Sequence, residues 1–207
     1  MIASSSMLSP EELDVVQEIA SIGCGQALTA LGKLMNRRIE MDVPEAWVGA
    51  DEGAIADFLG AMGQELVAVS VRLEGLLSGH LVLSLPNRDA AELAAVLGFP
   101  VSGTDWPVLA ESAVMESGNI VGSAFVSAVA AMIDQKLLLS VPKLARGAGK
   151  ACLDALVEPA ASTVALATRF TCSPPRALEG LILVMPDPSR LAMLLAAVRA
   201  RTSRRAR

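Results

Sequence analysis

Residues 106–133 read WPVLAESAVMESGNIVGSAFVSAVAAMI, and this stretch decides the fold. Three polar residues within it, Ser112, Glu116 and Asn119, fall at i, i+4 and i+7. At about 100° per residue they stay within roughly 60° of one another on a helix surface, so they form one row. Around them the run is apolar or small, with Ile120, Val121, Ala124, Phe125, Val129 and Met132. The pattern predicts a helix over about 106–134, buried except for one polar ridge turned to solvent.

The same row stands near the N-terminus as Asp14, Glu18 and Ser21. Each row is followed, after 22 intervening residues, by a proline: Pro44 after Ser21 and Pro142 after Asn119. The offset between the copies is 98 residues at all four positions. The chain of 207 residues is therefore expected to be a single domain made of two homologous halves, about 1–105 and 106–200, with a basic, disordered tail over 201–207. The second half carries the fuller set of polar groups.

Composition narrows the function classes. Hydrophobic residues make up 53% of the chain and aromatics only 3%, so the core must be built from Ala, Leu, Val and Met. The longest uncharged apolar stretch, 120–133, is too short and too rich in small residues to span ~30 Å of hydrocarbon, and no membrane insertion is expected. The first nine residues lack a basic and then apolar leader pattern, so no secretory signal is read. Cys24, Cys152 and Cys172 form no CxxC pair and suit reduced core thiols in a cytoplasmic protein. His80 is the single histidine, which leaves no expectation of a metal site of imidazole and thiolate. The net charge is −5 although the last nine residues hold five arginines, so the body is acidic and no nucleic-acid partner is expected. The arginines read as a solvated tail suited to a helix C-terminus.

Along the chain, Ser9-Pro10-Glu11-Glu12 is a helix start, with Ser9 as N-cap and Glu12 completing a capping box. Apolar spacing carries that helix over about 10–35. Gly23 and Gly25 weaken it by roughly 1 kcal/mol each and mark a close approach of another helix or a partner. No Lys-Ser/Thr follows the Gly-Cys-Gly triplet, so it is no phosphate loop. Residues 39–43, 66–73 and 79–85 alternate as strands, and 89–97 is a short helix. The second half replays this order with strands over 137–144, 162–171 and 178–185 and a helix over 190–199; Gly147 and Gly149 read as plain loop glycines. Strands grouped between helices predict an α+β fold. In it, pseudo-two-fold halves, each a long helix, antiparallel strands and a short helix, form a mainly antiparallel sheet with the two long helices packed on it.

A polar row on one amphipathic helix ordinarily marks only its solvent face. Repetition at a fixed offset argues for more, as does Asn119 beside Gly118, where Glu or Lys would favour the helix. The ridge is also bordered by Ala113, Met115 and Ser123, a surface another protein can approach closely. The run Ser112-x3-Glu116-x2-Asn119-x22-Pro142 resembles the signature of the CheC-type chemotaxis phosphatases, the CheC, CheX and FliY group. The first copy, Asp14-x3-Glu18-x2-Ser21-x22-Pro44, is similar to it except that Ser21 stands where the family has Asn.

The resemblance implies hydrolysis of the aspartyl phosphate of a CheY-like response regulator. Under it, Asn119 orients the attacking water, Glu116 docks on a lysine of the receiver domain and Ser112 supports the ridge. It further implies that the chain needs no cofactor of its own, because Mg²⁺ is held by the response regulator. The first row, Asp14, Glu18 and Ser21, would be a degenerate site. Two alternatives stand beside this reading. One is a binding module that sequesters a response regulator or regulates a CheD-like deamidase. The other is a flagellar switch-associated protein, disfavoured because no further domain is expected after the last helix.

Overall fold

The computed structural model describes residues 8–50, 52–103, 105–158, 163–174 and 177–205. The first half runs α1 (Pro10–Met35), β1 (Ile39–Met41), β2 (Glu45–Ala50), α2 (Glu52–Gly60), β3 (Leu66–Glu74), β4 (Gly79–Pro86) and α3 (Asn87–Val96). The second runs α4 (Val108–Ile133), β5 (Leu138–Leu139), β6 (Lys143–Gly147), α5 (Gly149–Leu156), β7 (Thr163–Cys172), β8 (Leu178–Pro186) and α6 (Pro188–Arg205). The order of helices and strands is the same in both.

Local chemistry accounts for the ends of the long helices. At α1 the capping box forms as read: the Ser9 N–H donates to Glu12 Oε2 at 3.0 Å and the Glu12 N–H to Ser9 Oγ at 3.3 Å. Both long helices stop at a left-handed residue, Asn36 (φ 52°) and Asp134 (φ 55°), again 98 apart. Asn and Asp tolerate that conformation better than other non-glycine residues.

All strand pairs described are antiparallel, and they form one eight-stranded sheet in the order β1-β7-β8-β4-β3-β5, with β2 also on β7 and β6 also on β3. The order is a palindrome if the halves are exchanged. The two hairpins β3–β4 and β7–β8 meet at the centre through β4 and β8. Each half sends its first strands across to the other half's hairpin, so neither half closes its own sheet.

The sheet is covered on both faces. Val67, Val69, Val71 and Leu73 of β3, with Ile182 and Val184 of β8, pack against α1, α4, α3 and α6. The alternate residues Leu66, Ala68, Val82, Leu183 and Met185 pack with Ile55 and Leu59 of α2 and Cys152 and Leu156 of α5. Thus α4, long and apolar enough to cross a membrane by length and composition, is a core helix here: Val114, Val121, Phe125 and Val129 are fully buried.

Four sequence expectations need correction. The long second helix begins at Val108, after Pro107, not at 106. The strand expected over 137–144 is broken into β5 and β6 around Pro142, which has no N–H to give a ladder. Gly149 is not a loop glycine: it opens α5 and is buried, and a Cβ there would lie 2.8 Å from Ala56 O and 2.9 Å from Leu59 Cβ. Helix α6 continues to Arg205, across most of the tail expected over 201–207. Residues 206–207 of the expected tail lie outside the described residues.

Candidate functional site

Helices α1 and α4 lie side by side on the sheet. Gly23 allows this: a Cβ there would fall 2.4 Å from the buried ring of Phe125 on α4. Gly118 and Gly122 do the same for α4 on β3, where added Cβ atoms would meet Val69 Cγ1 at 2.4 Å and Val71 Cγ2 at 2.7 Å. Gly25 has open space around it, so only one of the two N-terminal glycines marks a close contact.

On the side of α4 away from these contacts, Ser112 and Glu116 are exposed and Asn119 is half-buried. On α1 the equivalent residues repeat the pattern, with Asp14 and Glu18 exposed and Ser21 half-buried. Asn119 Nδ2 donates to Glu116 Oε2 at 3.5 Å, a long contact that sets the two side chains next to each other. The amide must face the carboxylate, because the opposite orientation would oppose two acceptors. Among the described residues the Asn119 carbonyl oxygen has no protein partner. The pair thus offers solvent a carboxylate, a carboxamide acceptor and a second N–H on one ridge.

The two prolines sit at the entrances to the crossing strands. Pro44 is buried and its carbonyl accepts from Gln17 Nε2 at 3.5 Å, which ties the turn to the first ridge. Pro142 is half-buried between β5 and β6. The residue before each proline is an exposed valine that periodicity does not single out: Val43 is 82% exposed and Val141 is 79% exposed. The repeated Val-Pro pair was the available signal. Leu109, one turn before Ser112 on α4, is exposed as well, whereas its counterpart on α1 is Glu11.

The description "CheC-like family" fits residues 11–47 and 109–146, two segments that contain both polar rows and both prolines. Over these two segments the chain resembles the CheC-like family. It is 29% identical over 142 residues, 66% of this chain and 67% of the relative, to the CheY-P phosphatase CheC of Bacillus subtilis. The CheC-like fold is shared with the crystal structure of Thermotoga maritima FliY, at TM-score 0.69 and 19% identity, covering 93% of this chain and 98% of that one. It is also shared with the CheX–CheY–BeF3–Mg²⁺ complex from Borrelia burgdorferi, at TM-score 0.55 and 18% identity, covering 83% and 99%.

Proposed function

We propose that the chain hydrolyses the aspartyl phosphate of a CheY-like receiver domain and that the α4 ridge is its active surface. The observation that carries this reading is the placement of Glu116 and Asn119 side by side on an open ridge of the second signature. An acyl phosphate is already activated, so a phosphatase need only aim water at phosphorus. Asn119 does this with its carboxamide, accepting from the water through Oδ1 in line with the leaving carboxylate. Attack forms the new P–O bond and releases inorganic phosphate and the free aspartate. Glu116 pairs with a receiver lysine and so docks α4 beside the phosphate. Ser112 supports the ridge one turn earlier. The receiver domain brings the Mg²⁺, in keeping with the Mg²⁺ and BeF3 of the CheX–CheY complex.

Leu109, one turn before Ser112, gives the second ridge an exposed apolar neighbour suited to a protein partner. On α1, Ser21 lacks the carboxamide reach; a positioning error of about 1 Å costs on the order of 100-fold. The first copy is then a weak site at best, in keeping with two halves of one ancestral unit that have diverged. The buried free thiols Cys24, Cys152 and Cys172 suit action in the cytoplasm.

The test is phosphate release from a phosphorylated CheY-like domain with Mg²⁺, with and without the chain. Acceleration that Asn119→Ala abolishes, and that Glu116→Ala weakens chiefly through KM, is the expected result. Full activity in a folded Asn119→Ala variant would remove the ridge from the mechanism. Tight binding of a beryllofluoride-loaded receiver without turnover would favour sequestration instead.

A further inference from the structure

The two ends of the sheet differ on the face opposite the ridges. Register sets the equivalences: Trp47 on β2 faces Ala165 on β7, and Ala145 on β6 faces Ala68 on β3, so Ala145 holds the place of Trp47. Arg72 matches Arg169 by the same correspondence, and the burial pattern of the two short helices, with Ile55, Ala56 and Leu59 answering Cys152, Leu153 and Leu156, sets Ala155 on α5 in the place of Phe58 on α2. At the first end the space is filled. Trp47 and Phe58 meet edge-on with centroids 4.3 Å apart, and the Arg169 guanidinium lies 4.5 Å over the Phe58 ring.

At the second end, where Ala145 and Ala155 stand in place of the two aromatics, a cavity of about 290 Å³ opens around Arg72. Its floor is Ser70, Arg72 and His80; Ser140, Val141 and Lys143 form one wall, and the end of α5 the other. The floor is a built polar network. Arg72 Nη1 donates to His80 Nε2 at 3.2 Å, which requires a neutral imidazole with its proton on Nδ1. That Nδ1–H donates to Ser70 Oγ at 3.2 Å, and Ser70 is only 3% exposed. Burial and the neighbouring Arg72 both hold the His80 pKa below its ordinary value. The Arg72 backbone N–H donates to Ser140 Oγ at 2.9 Å, which fixes the wall to the floor.

The guanidinium itself is loosely matched. Its carboxylate partners are Glu158 at 3.5 Å and Asp187 at 3.8 Å, and the Glu158 side chain is 83% exposed. Such an exposed pair contributes little and is readily displaced. We propose that this cavity binds a small organic monocarboxylate, which takes the place of Glu158 on Arg72 and accepts further hydrogen bonds from Ser70 Oγ and Lys143 Nζ. The planar fork of Arg72 matches a carboxylate in bidentate fashion. Asp187 beside it disfavours a dianion such as phosphate, while Asp154 is neutralised by Lys150 at 2.8 Å. Val141, Ala155, Leu156 and Val157 provide an apolar wall for a short alkyl or aryl tail.

His80, the chain's single histidine, gives a private probe. The full chain is titrated with butyrate, benzoate and inorganic phosphate at constant ionic strength while the imidazole Cε1–H resonance is followed by NMR. A saturable shift with Kd of about 1 mM or tighter is expected for at least one carboxylate, and binding at least about tenfold weaker for phosphate. Arg72→Lys keeps the charge but loses the fork, and should weaken carboxylate binding about tenfold or more. Ala145→Trp/Ala155→Phe refills the space as at the other end and should abolish it. No saturable shift with either carboxylate, equal binding of phosphate, or wild-type affinity in Arg72→Lys would each overturn the proposal. The outcome is independent of the phosphatase reading, because no receiver domain enters the assay.

Discussion

Gly118→Ala links the packing of α4 to the proposed chemistry. An added Cβ would lie 2.4 Å from Val69 Cγ1 and 2.8 Å from Val69 Cβ. Ordinary carbon contacts sit at about 3.5 Å or more, so roughly 1 Å must be found. Val69 is 1% exposed on a strand covered on both faces, and its β-branched side chain has no easy alternative rotamer. The helix must therefore rise from β3, carrying Asn119, the next residue, with it. Overpacking costs about 1–3 kcal/mol, and the gain in helix propensity returns about 1, leaving a net loss of about 2 kcal/mol at most. The variant stays folded, but if Asn119 aims the water as proposed, a displacement of about 1 Å at its carboxamide should slow dephosphorylation about 100-fold. Urea melts and phosphate release from a phosphorylated receiver measure the two effects on one preparation. Val69→Ala added to it removes the 2.4 Å clash but leaves the one at 2.8 Å, so part of the activity should return. A folded Gly118→Ala variant with the wild-type rate would refute the reasoning, and so would a double variant no faster than the single.

Ser21→Asn restores the missing group of the first ridge and should add a weaker activity that survives Asn119→Ala in the same phosphate-release assay; an unchanged rate would show that α1 lacks more than its carboxamide. Gly23→Ala and Gly25→Ala should move stability in opposite directions in urea. The first forces a Cβ into the Phe125 ring at 2.4 Å and should destabilise by about 1–3 kcal/mol, whereas the second meets nothing within 4 Å and should stabilise by up to about 1 kcal/mol. Burial pushes the Cys24 thiol up to about 11. A raised folded-state pKa means that the native protein holds the proton longer than the unfolded chain, so its contribution is fully present below pH ~8.5 and is lost as pH rises toward 11. Cys24→Ala should flatten that alkaline limb of the stability curve; an unchanged limb would assign it to other groups.

Much of the candidate site's geometry was legible before the fold, because it is a matter of local periodicity. The i, i+4, i+7 spacing on a helix places Ser112, Glu116 and Asn119 on one row whatever the helix packs against. The 98-residue offset carries the same inference to Asp14, Glu18 and Ser21. The capping box at Ser9 and Glu12 likewise needs only three consecutive peptide units to form. These features depend on neighbours in the chain, and there the sequence is explicit.

What the tertiary structure alone decided depends on neighbours in space. The alternation of Val67, Val69 and Val71 suggested one covered face, but Leu66 and Ala68 are buried too, under α2 and α5. Those short helices follow β2 and β6 and carry too few turns to announce themselves by periodicity. Nothing in the local pattern of residues 39–50 or 138–147 says that these strands cross to the opposite hairpin, since antiparallel pairing fixes a register but does not name the partner strand. The crossing turns Gly149 from a loop residue into a contact between α2 and α5. It also sets Ala145 and Ala155 in the places that Trp47 and Phe58 hold at the other end, which leaves the cavity around Arg72 open. A residue's periodicity is written in the chain; whether the space beside it is filled is settled only when distant side chains arrive.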